Sequence, residues 1–187
     1  MRVITAPESW ELDGDEIAVF LAGGICKCPD WQKEVIDILS SMSEESTKNL
    51  VIFNPRRENF PIGDPSAAQE QIEWEFHALE ACDIFSMYFC GGESDQPICM
   101  YELGRNIARM QMRDPLHWDD RIIISCEDGY KRGNDVIIQT LLATNDMVGV
   151  LDVLNGSNKA NIEHLRKNHA MMIQKSYRVL TAMLLDK

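Results

Sequence analysis

One carboxylate lies in a largely apolar stretch of the chain, where an ionised group gains little stabilisation. Glu102 follows the largely apolar residues 98–101 within the segment DQPICMYELGRNIARM. Two aspartates, Asp83 and Asp95, precede it and could reach the same cleft. Carboxyl groups gathered in one cleft can divide into a nucleophile and a proton donor. Glu102, Asp83 and Asp95 are therefore the candidate catalytic residues.

Glu102 also has a simpler interpretation. On a helix, Arg105 and Asn106 follow it at three and four residues, which is the spacing of an ordinary surface ion pair. Two features favour a working carboxylate instead. Glu102 lies near the amino end of its helix, where the dipole favours an ionised acid, and Gly104 would let a ligand or another backbone approach closely. The residues alone leave both interpretations open.

Several short segments offer groups that could bind a substrate. Gly23-Gly24 could cradle a phosphate, although a tight turn explains a bare glycine pair equally well. Arg56 and Arg57, in the run NPRR, could bind a phosphate or stack on a base, or could be ordinary loop arginines. Trp74 and Glu75 could line a pocket, although a tryptophan on a helix usually packs in the core. The candidate binding residues are Ala22, Gly23, Gly24, Asn54, Arg56, Arg57, Trp74 and Gln96.

Short β-rich runs alternate with helical patterns along the chain. The runs that predict strands are 17–24, 49–55, 83–89, 121–125 and 147–153. The last of these suits a helix nearly as well. The segments whose apolar spacing predicts helices are 29–42, 66–82, 97–113 and 157–184.

Two of these helices carry specific local expectations. The second opens with Ser66 and places Ile72, Phe76 and Leu79 on one face. The third begins at Pro97, a favoured residue of the first turn, with Ser94 and Asp95 upstream as candidate caps.

The order of these elements predicts the fold. Runs that are apolar on both faces and separated by helices indicate a parallel sheet covered on both sides. We therefore expect one α/β domain over residues 1–187, a doubly wound sheet of the flavodoxin or Rossmann type with about five parallel strands and helices on both faces. Residues 157–184 would form its C-terminal helical segment. Ligands of such folds bind at the carboxyl ends of the strands, which gathers at one edge residues 22–24, 54–57, 89–96 and the loop after Ser125.

Composition limits the classes of partner. The net charge of −12 over 187 residues disfavours binding to nucleic-acid polymers but not to a single nucleoside or nucleotide. No apolar run approaches the roughly 20 residues of a membrane span, and the first residues lack the apolar core of a signal peptide. The six cysteines and four histidines show no zinc-ligand spacing. The expectation is a cytoplasmic protein without metal or cofactor.

The motifs, taken in order, resemble a known family. VFLAGG, VIFNPRR, EWEFHALEACDIFSMYF and PICMYELGRNIA are similar to the motifs of the nucleoside 2-deoxyribosyltransferase-like family, over roughly residues 16–140. The resemblance implies a five-stranded parallel sheet between helices. It also implies that Glu102 is the nucleophile, that Asp83 lies by the nucleobase and that Ala22 to Gly24 border the sugar.

This chain departs from the family pattern at two positions. Phe20 stands where well-studied members have a tyrosine that holds the glutamate. Gln96 stands where they have an aspartate six residues before it, and Asp95 is one position away.

The chemistry implied by the resemblance suits these residues. A 2′-deoxynucleoside has no 2′-hydroxyl to discourage positive charge at C1′, so its glycosidic bond breaks through an oxocarbenium-like state. A carboxylate beneath C1′ stabilises that charge and can bond to the carbon, as in retaining glycosidases. A second acid, or a hydrogen bond to the base, improves the leaving group. Another base, or water, then completes the reaction.

Two alternatives remain open at this point. The protein could hydrolyse deoxynucleoside 5′-monophosphates, with Arg56 and Arg57 as phosphate ligands. It could also bind a nucleotide without turning it over, and the changes at Phe20 and Gln96 are what such a loss of activity would look like.

A homo-oligomer is expected on two grounds. The resemblance implies one in which a neighbouring subunit helps to close the site. The C-terminal segment also carries more apolar residues than one small sheet edge can cover, namely Met171, Met172, Val179, Leu180, Met183 and Leu184.

Overall fold

Six strands form the centre of the protein. The structure, a computed structural model, describes residues 1–61, 63–152 and 159–185. The strands are β1 (Arg2–Thr5), β2 (Ile17–Gly23), β3 (Leu50–Asn54), β4 (Ile84–Phe89), β5 (Ile122–Cys126) and β6 (Val150–Asp152). They pair in the order β1-β3-β2-β4-β5-β6, and every pairing is parallel. The predicted doubly wound parallel sheet is confirmed, with six strands instead of five.

Five helices cover the two faces of this sheet. They are α1 (Trp31–Ser40), α2 (Pro65–Ala81), α3 (Pro97–Arg113), α4 (Gly133–Thr144) and α5 (Lys159–Leu185). Helices α1 and α5 pack against one face, where Trp31 and Ile173 are buried. Helices α2, α3 and α4 pack against the other face, where Trp74, Leu103 and Val136 are buried. Strands β2 and β4 are buried throughout their length apart from Gly23, because they lie between these layers.

The starts of α2 and α3 differ from the expected ones. Helix α2 begins at Pro65 instead of Ser66, and Asp64 caps it, since its Oδ1 accepts a hydrogen bond from the Ser66 N–H at 2.9 Å. Gln96 precedes the first turn of α3 with a left-handed backbone, φ 45°, so Ser94 and Asp95 do not occupy the cap position. Pro97 opens α3 as predicted.

The face of α2 that meets the sheet is not the one expected. Ile72 and Phe76 are 65% and 48% exposed, whereas Trp74 and Leu79 are buried in the core. The cause is that the buried face of α2 includes small residues, Ala67 and Ala78 among them. Small residues contribute little to the spacing of large apolar side chains from which the face was predicted.

Helix α5 uses much of its apolar surface within the chain. Leu180 is 4% exposed, and Met172 and Met183 pack against the same core. Among the residues named for an interface, Met171 and Leu184 remain 50% and 45% exposed. The expectation that this segment is largely uncovered is therefore corrected.

The last strand is shorter than the sequence predicts. The expected strand 147–153 is reduced to Val150–Asp152. Residue 153, and residues 157–158 of the expected last helix, lie outside the described part of the chain. Gly104 is exposed on α3, with no atom within 4 Å of the position a side chain would occupy. Within the ranges the structure describes, no helix is long and apolar enough to cross a membrane.

Candidate active site

A cleft of about 550 Å³ opens at the carboxyl ends of β2, β3 and β4. The turn after β2 forms one wall, and α2 and α3 supply the acidic side chains Glu75 and Glu102. Apolar groups line much of the remainder, among them Phe20, Pro55, Phe60, Ile98 and Cys99. The edge of the sheet predicted from the strand pattern is the one that holds the cleft.

Glu75 and Glu102 form an acidic pair in this cleft. Burial, reinforced by the negative charge of Glu75 and opposed by Arg105, raises the pKa of Glu102 to about 8. Burial also raises the pKa of Glu75, while a hydrogen bond from Gln71 and the charge of Arg57 act in the opposite direction. Like charges in one cleft disfavour double ionisation, and with the pKa of Glu102 raised to about 8 the pair retains a proton near neutral pH.

The neighbours of Glu102 on α3 are engaged elsewhere. The Arg105 guanidinium pairs with Glu80 and stacks over the Phe76 ring, 4.6 Å from its centroid. Asn106 is buried and donates its Nδ2–H to the Glu102 carbonyl at 2.9 Å. The interpretation of Glu102 as half of an Arg105 surface pair is therefore wrong, and its carboxyl group faces the cleft.

The glycine pair after β2 is required by close packing. A side chain at Gly23 would overlap the Tyr88 carbonyl, and one at Gly24 would overlap Cys28 Sγ and the Gln96 amide. Trp31 fixes the same turn by donating its Nε1–H to the Gly24 carbonyl at 3.1 Å. Together with Ala22, these glycines bring backbone to the cleft wall, and packing accounts for the motif without a phosphate.

Gln96 closes the loop between β4 and α3. Its Nε2–H donates to the Cys90 carbonyl at 2.8 Å, and its Oε1 accepts from the Cys90 N–H at 3.2 Å. The Gln96 side chain thus shapes the cleft wall. Asp95 lies at the rim, 75% exposed and paired with Lys131 at 3.0 Å. Phe20 is buried beneath the cleft and has no hydroxyl to offer Glu102.

Asp83 is not brought to this cleft. It immediately precedes β4, at the amino edge of the sheet, whereas the cleft lies at the carboxyl edge. Its Oδ2 accepts from the Ala18 N–H at 3.0 Å, and its Oδ1 pairs with Arg113 at 3.0 Å. It lines a separate cavity of about 650 Å³. The expectation that Asp83 reaches the site of Glu102 is corrected, because the first residue of a parallel strand lies at the opposite edge from its last.

Arg56 and Arg57 follow β3 but bond to the protein. Arg56 Nη2–H donates to the carbonyls of Ile25 and Cys28, at 2.8 and 3.1 Å. Arg57 pairs with Glu70 at 2.7 Å. Both side chains line a neighbouring depression instead of the cleft. Asn54 also faces that depression, and its Oδ1 accepts from the Arg56 N–H at 3.1 Å.

Of the two neighbours Trp74 and Glu75, Glu75 lines the cleft and Trp74 does not. Trp74 packs against Phe20 and Phe53 and donates its Nε1–H to the Glu8 carbonyl at 2.8 Å, so it is a core residue. Glu75 was named with Trp74 as a residue that could line a pocket, but it was not among the candidate catalytic or binding residues. The signal that identifies it is its spacing from Gln71, four residues earlier, which also lines the cleft.

Part of the chain is similar to a known protein family. Residues 16–113 match the model of a protein family described as nucleoside 2-deoxyribosyltransferase like. The match covers just over half of the chain and includes every residue that lines the cleft. No curated protein matches the chain.

Proposed function

The chain belongs to the nucleoside 2-deoxyribosyltransferase-like family, and from that premise we propose that it cleaves the N-glycosidic bond of 2′-deoxynucleosides. In this proposal Glu102 takes up the deoxyribosyl group and passes it to another base or to water. The observation that carries the proposal is the pair of carboxyl groups, Glu75 and Glu102, that face one cleft within the family segment. Such a pair supplies both a nucleophile and a proton donor.

Glu102 acts as the nucleophile. A carboxylate oxygen bonds to C1′ as the bond from C1′ to the base nitrogen breaks, and the electrons of that bond leave with the base. Glu75 gives its proton to the departing base. In the second half, the incoming base or water attacks C1′, Glu102 leaves, and Glu75 receives the proton of the incoming group.

The productive form has Glu102 ionised and Glu75 protonated. In the empty cleft the raised pKa of Glu102 works against this form. A substrate changes the balance, because positive charge developing at C1′ favours an ionised carboxylate beneath it. The pair keeps one proton in total, and the reaction requires that proton on the side of the base.

Unphosphorylated deoxynucleosides suit this cleft better than 5′-monophosphates. The charged side chains that the described residues place on its wall are all acidic: Glu75, Asp95 and Glu102. A phosphate dianion would be repelled by them. Arg56 and Arg57, which motivated the alternative of a monophosphate hydrolase, are engaged with backbone carbonyls and with Glu70.

Product analysis tests the proposal. The protein is incubated with a panel of deoxynucleosides and their 5′-monophosphates, with and without a second free base, and the products are separated by chromatography. Exchange of the base marks a transferase, and free base with deoxyribose marks a hydrolase. Release of base from none of the substrates, with thermal shifts that still show binding, would favour the non-catalytic alternative.

A trapping experiment identifies the nucleophile. A 2-fluoro sugar analogue slows the second half of such reactions, so that the covalent intermediate accumulates. Mass spectrometry should place the adduct on the peptide that contains Glu102, and the Glu102→Gln variant should carry none. An adduct on Glu75 would reverse the roles of the two carboxyl groups.

A further inference from the structure

The loop that joins β4 to α3, residues 90–96, forms part of the cleft wall and leads directly into the helix that carries Glu102. It contains Gly91 and Gly92, and Gly92 has φ 98°. A pair of glycines leaves a loop free to move unless other groups hold it. What holds this loop therefore affects where Glu102 stands.

The segment that follows β5, residues 127–131, braces this loop from outside. Glu127 Oε2 accepts from the Gly91 N–H at 2.7 Å, and the Gly129 carbonyl accepts from the Gly92 N–H at 3.2 Å. Further along, the Tyr130 hydroxyl donates to the Asp95 carbonyl at 3.0 Å. Both ends of the loop are thus attached to one short segment, which lies beyond the part of the chain that matches the family.

Glu127 is an unusual residue to place there, because its side chain is only 4% exposed. Its Oε1 accepts from the Tyr88 hydroxyl at 2.8 Å and pairs with Arg166 Nη2 of α5 at 3.0 Å. Arg166 is 6% exposed and also pairs with Glu34 of α1. A buried ion pair contributes little net stability relative to apolar residues, and its best-attested use is to fix one arrangement of the groups around it.

We infer that Glu127 is a positioning residue of the cleft: it fixes the loop 90–96, and through that loop the start of α3, while Arg166 holds its carboxylate in place. The inference rests on the proposed function for its effect on turnover. It also connects α5 to the site, because the pairing of Arg166 with Glu127 is a link from that helix to the loop.

Glu127→Gln tests this with little change of shape. A carboxylate accepts on both oxygens, but an amide accepts on one side and donates on the other. With Arg166 on one side, the amide oxygen should turn to the cation and present its NH₂ to the Gly91 N–H. The loop then loses its attachment at Gly91, while its other hydrogen bonds and the core are kept. Because small displacements of reacting groups cost up to about 10²-fold in rate, we expect kcat to fall by roughly 10–100-fold.

Hydrogen exchange provides a second measurement that needs no substrate. In Glu127→Gln the amides of residues 90–96 should exchange at least about tenfold faster than in the wild type. The control is a substitution at Ile173, a buried residue of α5. Ile173→Val or Ile173→Ala is chosen to match the melting temperature of Glu127→Gln, and it should leave kcat and loop exchange unchanged.

The outcomes separate the two proposals. If Glu127→Gln matches the Ile173 control in both kcat and loop exchange, Glu127 serves stability alone and the inference fails. If the wild type releases no base, the proposed function fails, while the exchange measurement still decides the positioning role. If Glu127→Gln does not fold, Glu127→Asp replaces it, since it keeps the charge that pairs with Arg166 and shortens the side chain that accepts from the Gly91 N–H. Unchanged exchange of residues 90–96 in that variant would then overturn the inference.

Discussion

Glu102 is held where its own ionisation is unfavourable, and this has a consequence for stability. Burial and the charge of Glu75 raise its folded-state pKa to about 8, from an ordinary value of 4.5. Between those two pH values the unfolded chain has already lost the proton that the folded chain keeps. The wild type is therefore expected to lose stability as pH rises through this window.

Glu102→Gln removes that dependence. We expect the variant to be more stable than the wild type by roughly 1–2 kcal/mol at pH 8, a discounted value for a group that is only partly enclosed. The difference should vanish at about pH 3, well below the unfolded-state pKa, where the carboxyl group is protonated in both states. Urea unfolding at the two pH values measures it, with exposed Glu45→Gln as the control. Equal stability of variant and wild type at pH 8 would contradict the burial argument.

Glu75 is expected to act as the proton donor to the base. Glu75→Gln should lower turnover of natural deoxynucleosides by roughly 10²–10⁴-fold, the range of general acid catalysis. A substrate whose leaving group needs no proton, such as a deoxyriboside of 4-nitrophenol, should lose less than about tenfold. The comparison of steady-state rates on the two substrates checks this. Equal losses on both would mean that Glu75 serves binding or the fold.

The two acids also show what residue types alone can predict. Glu102 was identifiable because its neighbours in sequence are apolar and its motif is known. Glu75 was named with Trp74 as a residue that could line a pocket but was assigned no catalytic role, because residue type alone does not show which of two neighbours on a helix faces the cleft; the tryptophan belongs to the core. Asp83 was misplaced because the resemblance put it by the nucleobase, although the first residue of a parallel strand lies at the edge opposite the cleft.

Among the elements, the long helices and the central strands were predictable. Helix α3 has the predicted bounds, since Pro97 opens it and apolar spacing continues to the end. Helix α4 was not predicted, because its buried face consists of Val136, Thr140 and Thr144, and two of these carry no apolar signal. Strand β1 was missed because it is only four residues long, with half of them exposed at the edge of the sheet.

Two glycines near the cleft should respond in opposite ways to the same substitution. Gly24→Ala places a methyl group against Cys28 Sγ and the Gln96 amide, so we expect a loss of roughly 1–3 kcal/mol and reduced turnover. Gly104→Ala meets no atom within 4 Å and lies inside α3, so a gain of about 0.5–1 kcal/mol with normal turnover is expected. Thermal unfolding and steady-state kinetics of both variants test this. A loss of activity in Gly104→Ala would restore the idea that a ligand or a second subunit approaches there.

At the scale of the whole molecule, the segment that matches the family forms the cleft, and the rest of the chain supports it. Residues 16–113 contain β2, β3 and β4 with α1, α2 and α3, and all of the cleft wall. The remainder supplies β1 at one edge of the sheet, β5 and β6 at the other, and α4 and α5 on its two faces. The site is thus built from the matched segment and supported by what lies outside it.

Exposed apolar side chains on α2 and α3 suggest a surface through which the protein would assemble. Ile72 and Phe76 on α2, and Ile98 and Tyr101 on α3, are between 48% and 68% exposed. Patches of this kind commonly mark interfaces. The C-terminal helix, from which an oligomer was first expected, buries Leu180 and packs Met172 and Met183 within the chain. The prediction of a homo-oligomer therefore moves from α5 to the outer faces of α2 and α3.

We predict a homodimer that buries this patch and brings a second copy to the mouth of the cleft, because a closed two-fold contact is the commonest arrangement of such surfaces. Light scattering at micromolar concentration should give twice the mass of one chain. Phe76→Glu should shift it to the monomer, since a charge placed in a buried apolar contact lacks a partner. The matched control is Leu142→Glu on α4, a residue that is 71% exposed and should leave the dimer intact. A monomeric wild type, or dissociation by the control and not by Phe76→Glu, would place the interface elsewhere or remove it.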